Sequence, residues 1–183
     1  SRAVTRAVSA VATYSNVDHP LTTEPEQIRR SAVVIFAADR GLAGAFNSQI
    51  LREGLEVAEL LRSEGKEVVF YLVGRKAVGY FQFRKLAAAG EWVGDTDSPS
   101  FSTAEDIANT LLDAFRTDYA DGGVEEIHLV YNRFVSMMTQ EPESVRLLPL
   151  EITEADAADV SSSQVYPLYE FEPDAETVLD AIL

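Results

Sequence analysis

Short apolar runs rich in β-branched residues alternate along the chain with longer segments whose apolar residues recur at helical spacing. The short runs predict buried strands, and the longer segments predict helices. The predicted strands are Ser31–Ala37, Glu67–Val73, Val124–Asn132 and Glu143–Leu150, and the predicted helices are Ala45–Glu64, Arg75–Lys85 and Thr103–Tyr119. This order favours βαβ units and a mainly parallel sheet with helices on both faces. We therefore expect an α/β fold, a Rossmann-like three-layer α/β/α sandwich.

Glycine, proline and small polar residues mark the expected boundaries of these elements. Gly65 is a suitable C-terminal stop for the first long helix. The segment Gly90–Phe101 carries glycine, serine, aspartate and proline and is predicted to be a loop. Thr103, followed three residues later by Asp106, is typical of a helix start. Pro149 indicates that the last strand lies at an edge of the sheet or ends there.

Both ends of the sequence have helical periodicity without a complete set of helix boundary signals. Val4, Val8 and Val11 form a stripe that is already established at the first residue. Residues 173–183 begin with proline and acidic residues and then carry an apolar face. We expect two longer, truncated helices, one ending within residues 1–15 and one starting at 173–183. The alternative is an ordinary domain with short terminal helices.

The composition is that of one soluble globular domain over residues 1–183, with an α/β core at residues 31–150. Apolar residues make up 46% of the 183 residues and charged residues 25%, which is an average balance. No apolar run approaches the roughly 20 residues that a membrane span needs, so we expect no direct span. The absence of cysteine excludes disulfides and thiolate metal sites.

The net charge of −15 is unevenly distributed, because no basic residue follows Arg146. The acidic residues beyond it are Glu151, Glu154, Asp156, Asp159, Glu170, Glu172, Asp174, Glu176 and Asp180. Nucleic-acid binding is not expected, because the sequence has no basic stripe that could neutralise phosphates. Residues 151–168 are predicted to form a solvated acidic loop.

The turn after the first predicted strand is the expected place for chemistry, because ligands of parallel sheets bind beyond the carboxyl ends of strands. It reads ADRGLAGAFN from Ala38 to Asn47, with two residues between Gly41 and Gly44. This spacing matches neither the three-glycine dinucleotide fingerprint nor the P-loop. The glycines favour a tight backbone turn into the helix, and a nucleotide cradle is the alternative.

We predict no catalytic residues, no bound cofactor and no metal site. His128 lies among apolar residues of a predicted strand and is interpreted as a sheet histidine, while Glu125 and Glu126 face opposite sides of that strand. The doublets Arg75-Lys76 and Arg84-Lys85 are interpreted as solvated helix faces. Three aromatic residues late in the chain are either satellite core or a docking surface: Tyr166, Tyr169 and Phe171.

Three segments resemble signatures of the gamma subunits of F-type ATP synthases. ADRGLAGAFN, Ala38–Asn47, resembles the S-D-R-G-L-C-G-x-x-N turn of that family. VYNRFVSMMTQEPESVRLLPLE, Val130–Glu151, resembles a strand-loop-strand stretch that ends in L-L-P-L. YEFEPDAETVLDAIL, Tyr169–Leu183, resembles the Y-x-Y-E-P-D segment that opens the long C-terminal helix of the family.

The resemblance implies a non-catalytic rotor subunit of the central stalk. Two long helices of such a subunit form a shaft inside the hexamer of alpha and beta subunits, with the globular domain beside the epsilon subunit and the c-ring. Proton-driven rotation of the c-ring is transmitted as torque, and ATP is made in the beta subunits. The implied location is peripheral, at the cytoplasmic face of the bacterial plasma membrane.

The resemblance also implies two partner-binding surfaces. The first faces an acidic lever of the beta subunit and comprises Asp39, Arg40, Gly41, Leu42, Ala43 and Gly44. Arg40 has the right charge for that partner, whereas Asp39 is alternatively a cap for the following helix. Ala43 replaces a frequent cysteine, so thiol behaviour does not transfer. The second surface lies near the epsilon subunit and comprises Tyr166, Tyr169, Phe171 and Glu172.

Three hypotheses follow and differ in their consequences. An interaction protein binds protein partners and has no tight small-molecule site. An enzyme would use the glycine turn as a nucleotide cradle and bind NAD or ATP. A structural scaffold would have a turn that contacts nothing, so that reversing the charge of Arg40 would change nothing.

Overall fold

The computed structural model of the chain describes residues 26–39, 44–94, 100–136 and 139–150. The predicted terminal helices and the predicted acidic loop lie outside these ranges. The described elements are β1 (Arg30–Phe36), α1 (Gly44–Ser63), β2 (Glu67–Val73), α2 (Arg75–Arg84), β3 (Gly90–Trp92), α3 (Phe101–Arg116), a 3-10 turn (Tyr119–Asp121), β4 (Glu126–Ser136) and β5 (Thr139–Leu148).

The five described strands form one sheet in the order β3-β2-β1-β4-β5. Strand β1 is central and pairs in parallel with β2 on one side and with β4 on the other. β3 pairs in parallel with β2, and β5 pairs antiparallel with β4 at the opposite edge. The prediction of a mainly parallel α/β sheet is confirmed.

The two faces of the sheet carry separate apolar cores, because successive side chains of a strand point to opposite faces. On one face Ala32, Val34 and Phe36 of β1 pack with apolar residues of α3. On the other face Val33 and Ile35 pack with residues of α1 and α2. Helices therefore cover both faces, as expected for a three-layer sandwich.

The prediction that Gly90–Phe101 is entirely loop was wrong at both ends. Gly90–Trp92 forms β3, which is paired in parallel with the end of β2. Its three residues are too few for an alternating pattern to be recognised in the sequence. The strand is held by its pairing with the end of β2 and by the ring of Trp92, which stacks on Tyr71 with centroids 6.3 Å apart.

The start of α3 was also predicted two residues late. The N-cap is Ser100, whose side chain accepts a hydrogen bond from the Thr103 N–H, so Thr103 lies inside the first turn. Asp106 does not close a capping box with Thr103 as N-cap, and its carboxylate accepts the indole N–H of Trp92 at 2.7 Å. The helix ends at Arg116, short of the predicted Tyr119.

Strands β4 and β5 extend further than the sequence pattern predicted. β4 was expected to end at Asn132 and β5 to begin at Glu143, but they reach Ser136 and Thr139. The added residues pair only within the β4–β5 ribbon, because β1 accompanies β4 no further than Val130. This two-stranded ribbon is largely polar and has no core-facing period that could be detected in the sequence.

Candidate partner-binding turn at the carboxyl edge of the sheet

The predicted beta-facing turn lies where the parallel strands end. Of its six residues the structure describes Asp39 and Gly44, the first residue of α1. Residues 40–43 lie outside the described ranges, as do Tyr166, Tyr169, Phe171 and Glu172 of the second predicted surface. The structure therefore gives the positions of the two segments that flank the turn, which are the end of β1 and the start of α1.

Asp39 was predicted to cap the helix that follows it, α1. The described N–H groups that it binds belong instead to α2 and to the segment after β3. Its Oδ1 atom accepts from the Arg75 N–H at 2.9 Å and from the Gly94 N–H at 3.2 Å. Arg75 is the first residue of α2, and Gly94 follows β3. A carboxylate at a helix N-terminus is stabilised by the helix dipole, so Asp39 anchors the turn to the next two strand ends.

Backbone hydrogen bonds connect the same three strand ends. Ala37 N–H donates to Val73 O at 2.8 Å, Lys76 N–H donates to Ala38 O at 3.0 Å, and Gly74 N–H donates to Trp92 O at 2.8 Å. The side chain of Asn47 in α1 accepts from the Ala38 N–H at 3.1 Å. Asn47 is buried, so β1 and α1 are fixed to each other on both sides of residues 40–43.

Gly74 is required for this close approach. Its φ of 107° lies in the region that favours glycine, and a Cβ atom there would lie 2.0 Å from the Ala37 carbonyl oxygen. The N–H groups of Gly74, Arg75 and Lys76 all bind protein oxygens. The start of α2 is consequently not an open anion-binding site, although it follows a strand and a glycine.

The described residues contain no group of three or more histidines, aspartates and glutamates arranged to hold a metal ion. No helix within those ranges has the length and apolar character needed to cross a bilayer. The carboxyl edge as described offers a rigid frame for residues 40–43 and no arrangement of acid, base and nucleophile.

The amino edge of the sheet contains a buried ionic cluster that the sequence did not reveal. Glu126 is only 3% exposed, and its Oε1 atom accepts from Ser31 Oγ at 2.8 Å. The same oxygen lies 3.2 Å from Lys66 Nζ and 2.8 Å from His128 Nε2. Arg146 approaches the other oxygen at 3.7 Å. The interpretation of His128 as a sheet histidine is confirmed.

Burial alone would raise the pKa of Glu126, but hydrogen bonds and charge from His128, Ser31 and Lys66 outweigh it and lower the pKa to about 2. Glu125, on the opposite side of the strand as predicted, binds the Arg29 guanidinium at 2.9 Å. Perturbed carboxylates often mark active sites, but this one is enclosed by its own partners, so we assign it a structural role. Its one sequence signal was a glutamate inside a strand.

The whole chain matches the family model described as ATP synthase, over residues 1–183. It is 62% identical over 183 residues to the ATP synthase gamma chain of Leifsonia xyli subsp. xyli, and 63% identical to that of Clavibacter sepedonicus. All of this chain is covered in both comparisons, and it spans 61% of the length of each relative.

A chain of the central stalk and c-ring structure of Tetrahymena thermophila mitochondrial ATP synthase has a similar fold. The TM-score is 0.50 at 19% sequence identity, and the match covers 97% of this chain and 90% of that chain. At this identity the likeness concerns the fold alone.

Proposed function

This chain belongs to the ATP synthase gamma chain family, and we propose that it is part of the central-stalk rotor of an F-type ATP synthase. In this role it transmits torque between proton-driven rotation of the c-ring and ATP synthesis in the alpha/beta hexamer, and it catalyses no reaction itself. Its partners are the alpha, beta and epsilon subunits and the c-ring. It is a peripheral component at the cytoplasmic face of the bacterial plasma membrane.

The observation that carries this proposal is 62% identity to a gamma chain along the whole of the present sequence. The described geometry supports a binding role rather than an enzymatic one. The carboxyl edge, where ligands of parallel sheets bind, is fixed by backbone contacts and by Asp39, and the helix N-terminus beside it is already occupied by protein oxygens.

We propose that the turn from Asp39 to Gly44 contacts the acidic lever of a beta subunit. Asp39 holds the start of the turn to α2, and Arg40, the next residue in the sequence, has the charge that an acidic partner requires. The planar guanidinium of an arginine can pair with a carboxylate through two parallel hydrogen bonds.

The second proposed surface consists of Tyr166, Tyr169, Phe171 and Glu172 and contacts the epsilon subunit. It rests on the resemblance of residues 169–183 to the family segment and on the aromatic composition of the stretch. Aromatic residues are enriched among the energetically dominant contacts of protein interfaces.

Calorimetric titration of this chain with the epsilon subunit of the same organism tests the proposal, with ATP and NAD titrated in parallel. Binding of epsilon without binding of either nucleotide supports a rotor domain. Binding of a nucleotide without epsilon would overturn the proposal and make the glycine turn a cofactor site.

Rotation of the assembled synthase tests the turn itself. Arg40→Glu in the full-length subunit is expected to impair ATP-driven rotation or its coupling, because it places like charges against the lever. Arg62→Glu is the matched control, since Arg62 is an exposed arginine in the last turn of α1, at the opposite edge of the sheet. Equal rotation in the two variants would show that the turn is only a scaffold.

A further inference from the structure

Helix α2 carries a concentration of positive charge that is unusual for this acidic chain. Its sequence and C-cap, RKAVGYFQFRK from Arg75 to Lys85, contain four basic residues and no acidic one, whereas the whole chain has a net charge of −15. The four are Arg75 and Lys76 in the first turn and Arg84 and Lys85 at the end. A cationic helix in such a chain attracts whatever acidic segment can reach it.

The other basic residues of the described ranges are mostly neutralised internally. Salt bridges to glutamates are formed by Arg29, Arg30, Arg62, Lys66, Arg133 and Arg146. The four basic side chains of α2 form no salt bridge with any residue in those ranges. The positive charge that the described part of the molecule offers to a partner is therefore concentrated on α2.

The contacts of α2 separate a sheet-facing side from an outward side. Ala77, Val78 and Phe81 are buried against the sheet. Phe83 is 86% exposed, and Leu86, just beyond the helix, is 41% exposed. The outward side thus combines ammonium and guanidinium groups with apolar surface, which suits a segment of acidic and aliphatic residues.

The side of α2 next to α1 borders an open groove of about 550 Å³. Arg52 of α1 and Arg84 of α2 both line it, and the Arg84 guanidinium lies 4.9 Å from the ring centroid of Tyr80. Glu56 and Glu59 line the groove as well, so its floor is of mixed charge. Arg84 therefore belongs both to this groove and to the basic end of α2, where Lys85 follows it.

The chain contains an acidic segment that follows the last strand of the sheet, directly after Leu150, which packs against the core on the α3 face. Residues Glu151–Gln164 carry Glu151, Glu154, Asp156 and Asp159, together with two larger aliphatic residues, and no base. They follow β5, whose last residue, Leu148, pairs with Ile127 near the beginning of β4. The segment therefore starts at the amino edge, the edge toward which α2 runs after it leaves the carboxyl end of β2.

The distance between the two can be bridged. Five strands span about 19 Å from the first to the last, at roughly 4.8 Å per strand. Extended chain of the length of Glu151–Gln164 reaches about 46 Å at roughly 3.3 Å per residue. Because the segment is tethered, it meets α2 at an effective concentration of about 1 mM, which a separate acidic protein would have to exceed.

We propose that the acidic segment Glu151–Gln164 docks in the same molecule against the outward face of α2, with its carboxylates next to Arg84 and Lys85. This inference is independent of the rotor role, because it rests on charges and chain length within this sequence. It gives the acidic segment a binding site on the domain that precedes it.

Cysteine cross-linking tests the contact, since the chain has no cysteine of its own. Gly79→Cys places a thiol on the outward face of α2, where an added Cβ meets no atom within 4 Å. Ser162→Cys places the second thiol in the acidic segment. The control pair is Ser102→Cys with Ser162→Cys, because Ser102 is exposed in α3 on the opposite face of the sheet.

We expect the double variant Gly79→Cys with Ser162→Cys to form an intramolecular disulfide about fivefold faster than the control pair, with the rate falling at high salt. Arg84→Glu should remove most of that advantage. Arg116→Glu, the equivalent last-turn arginine of α3, should leave it unchanged. Circular dichroism of each variant separates a lost contact from a lost fold.

Equal rates for the two cysteine pairs, or equal effects of Arg84→Glu and Arg116→Glu, would contradict the proposal. A disulfide that joins two molecules, with a yield that rises with protein concentration, would also contradict it. That result would mean that α2 binds an acidic segment of another chain.

Discussion

The two edges of the sheet are stabilised in different ways. At the amino edge the contacts are mainly between polar and charged side chains. Glu126 binds Ser31 and Lys66. The guanidinium groups of Arg29 and Arg30 lie 4.2 and 4.3 Å from the ring centroid of Tyr119. At the carboxyl edge the contacts are mainly between backbone groups, whose close approach requires Gly74, and the side chains of Asp39 and Asn47 add hydrogen bonds to backbone N–H groups.

We interpret the difference as a separation between an edge that stabilises the fold and an edge that positions the proposed binding turn. Side chains that are engaged in internal ion pairs are unavailable to partners, so the amino edge contributes stability. An edge joined by backbone hydrogen bonds fixes the path of the chain on both sides of the turn, which we propose as a binding surface. Charge changes at the amino edge should therefore alter the free energy of unfolding, whereas changes in the turn should alter assembly.

The largest effect is expected from Gly74→Ala at the carboxyl edge. The new methyl group would lie 2.0 Å from the Ala37 carbonyl oxygen at a φ of 107°. We expect a loss of at least about 3 kcal/mol in the free energy of unfolding, measured by urea titration. Gly79→Ala is the control, since its Cβ meets no neighbour, and it should stabilise α2 by up to about 1 kcal/mol. Similar values for the two would refute the description of an edge held by close backbone contact.

Glu126→Gln tests the amino edge. It removes the buried carboxylate charge shared by Lys66 and Arg146, although Lys66 keeps its pair with Glu64, and breaking a buried ion pair typically costs about 3 kcal/mol. Glu59→Gln removes an exposed carboxylate that pairs with Arg62 and should cost under about 1 kcal/mol. Chemical unfolding of both variants would argue against a special role for the buried cluster if the two costs were equal.

The pH dependence of stability is expected to report the same cluster. The folded-state pKa of Glu126 is lowered to about 2 from 4.5, so its contribution is fully present above about pH 4.5 and declines as the pH falls toward 2. Between about pH 5 and pH 3 we expect this group to account for about 2 kcal/mol of lost stability. Glu126→Gln should flatten that part of the thermal stability profile, and an unchanged slope would show that other carboxylates dominate.

The smallest expected effect on stability is that of Asp39→Ala. Two N–H groups, those of Arg75 and Gly94, lose their carboxylate acceptor, which should cost about 1 kcal/mol because both lie near solvent. Asp113→Ala, an exposed position within α3, should be neutral or slightly stabilising. Thermal melts of the two variants decide whether Asp39 has a structural role in addition to any contact with a partner.

Most of the fold could be predicted from the sequence, because the strands have strong apolar runs and the long helices have clear periodicity. The prediction of Glu67–Val73 matches β2 at both ends. The elements that were missed lack a periodic signal: β3 has three residues, and the ribbon beyond Asn132 has no core to face. Their positions depend on tertiary pairing.

The position of the turn at Asp39 could be predicted from the sequence, but its contacts could not, and its role as a binding surface stays a prediction. The rule that ligands bind beyond the carboxyl ends of parallel strands led to the turn at Asp39. The link from Asp39 to α2 and to Gly94 joins residues that are 36 and 55 positions apart. The cluster around Glu126 has the same character, because its members come from four separate segments and only the folded sheet brings them together.

The central position of β1 has a consequence for folding during synthesis. Ser31 bonds to Glu126, which is 95 positions further along the chain, so one side of β1 cannot be completed until β4 has left the ribosome. At about 5 to 20 residues per second this interval lasts about 5 to 20 seconds. The nascent domain exposes an apolar strand edge throughout that time, and the pairing of β1 with β2 is the first parallel contact that can form to protect the other side.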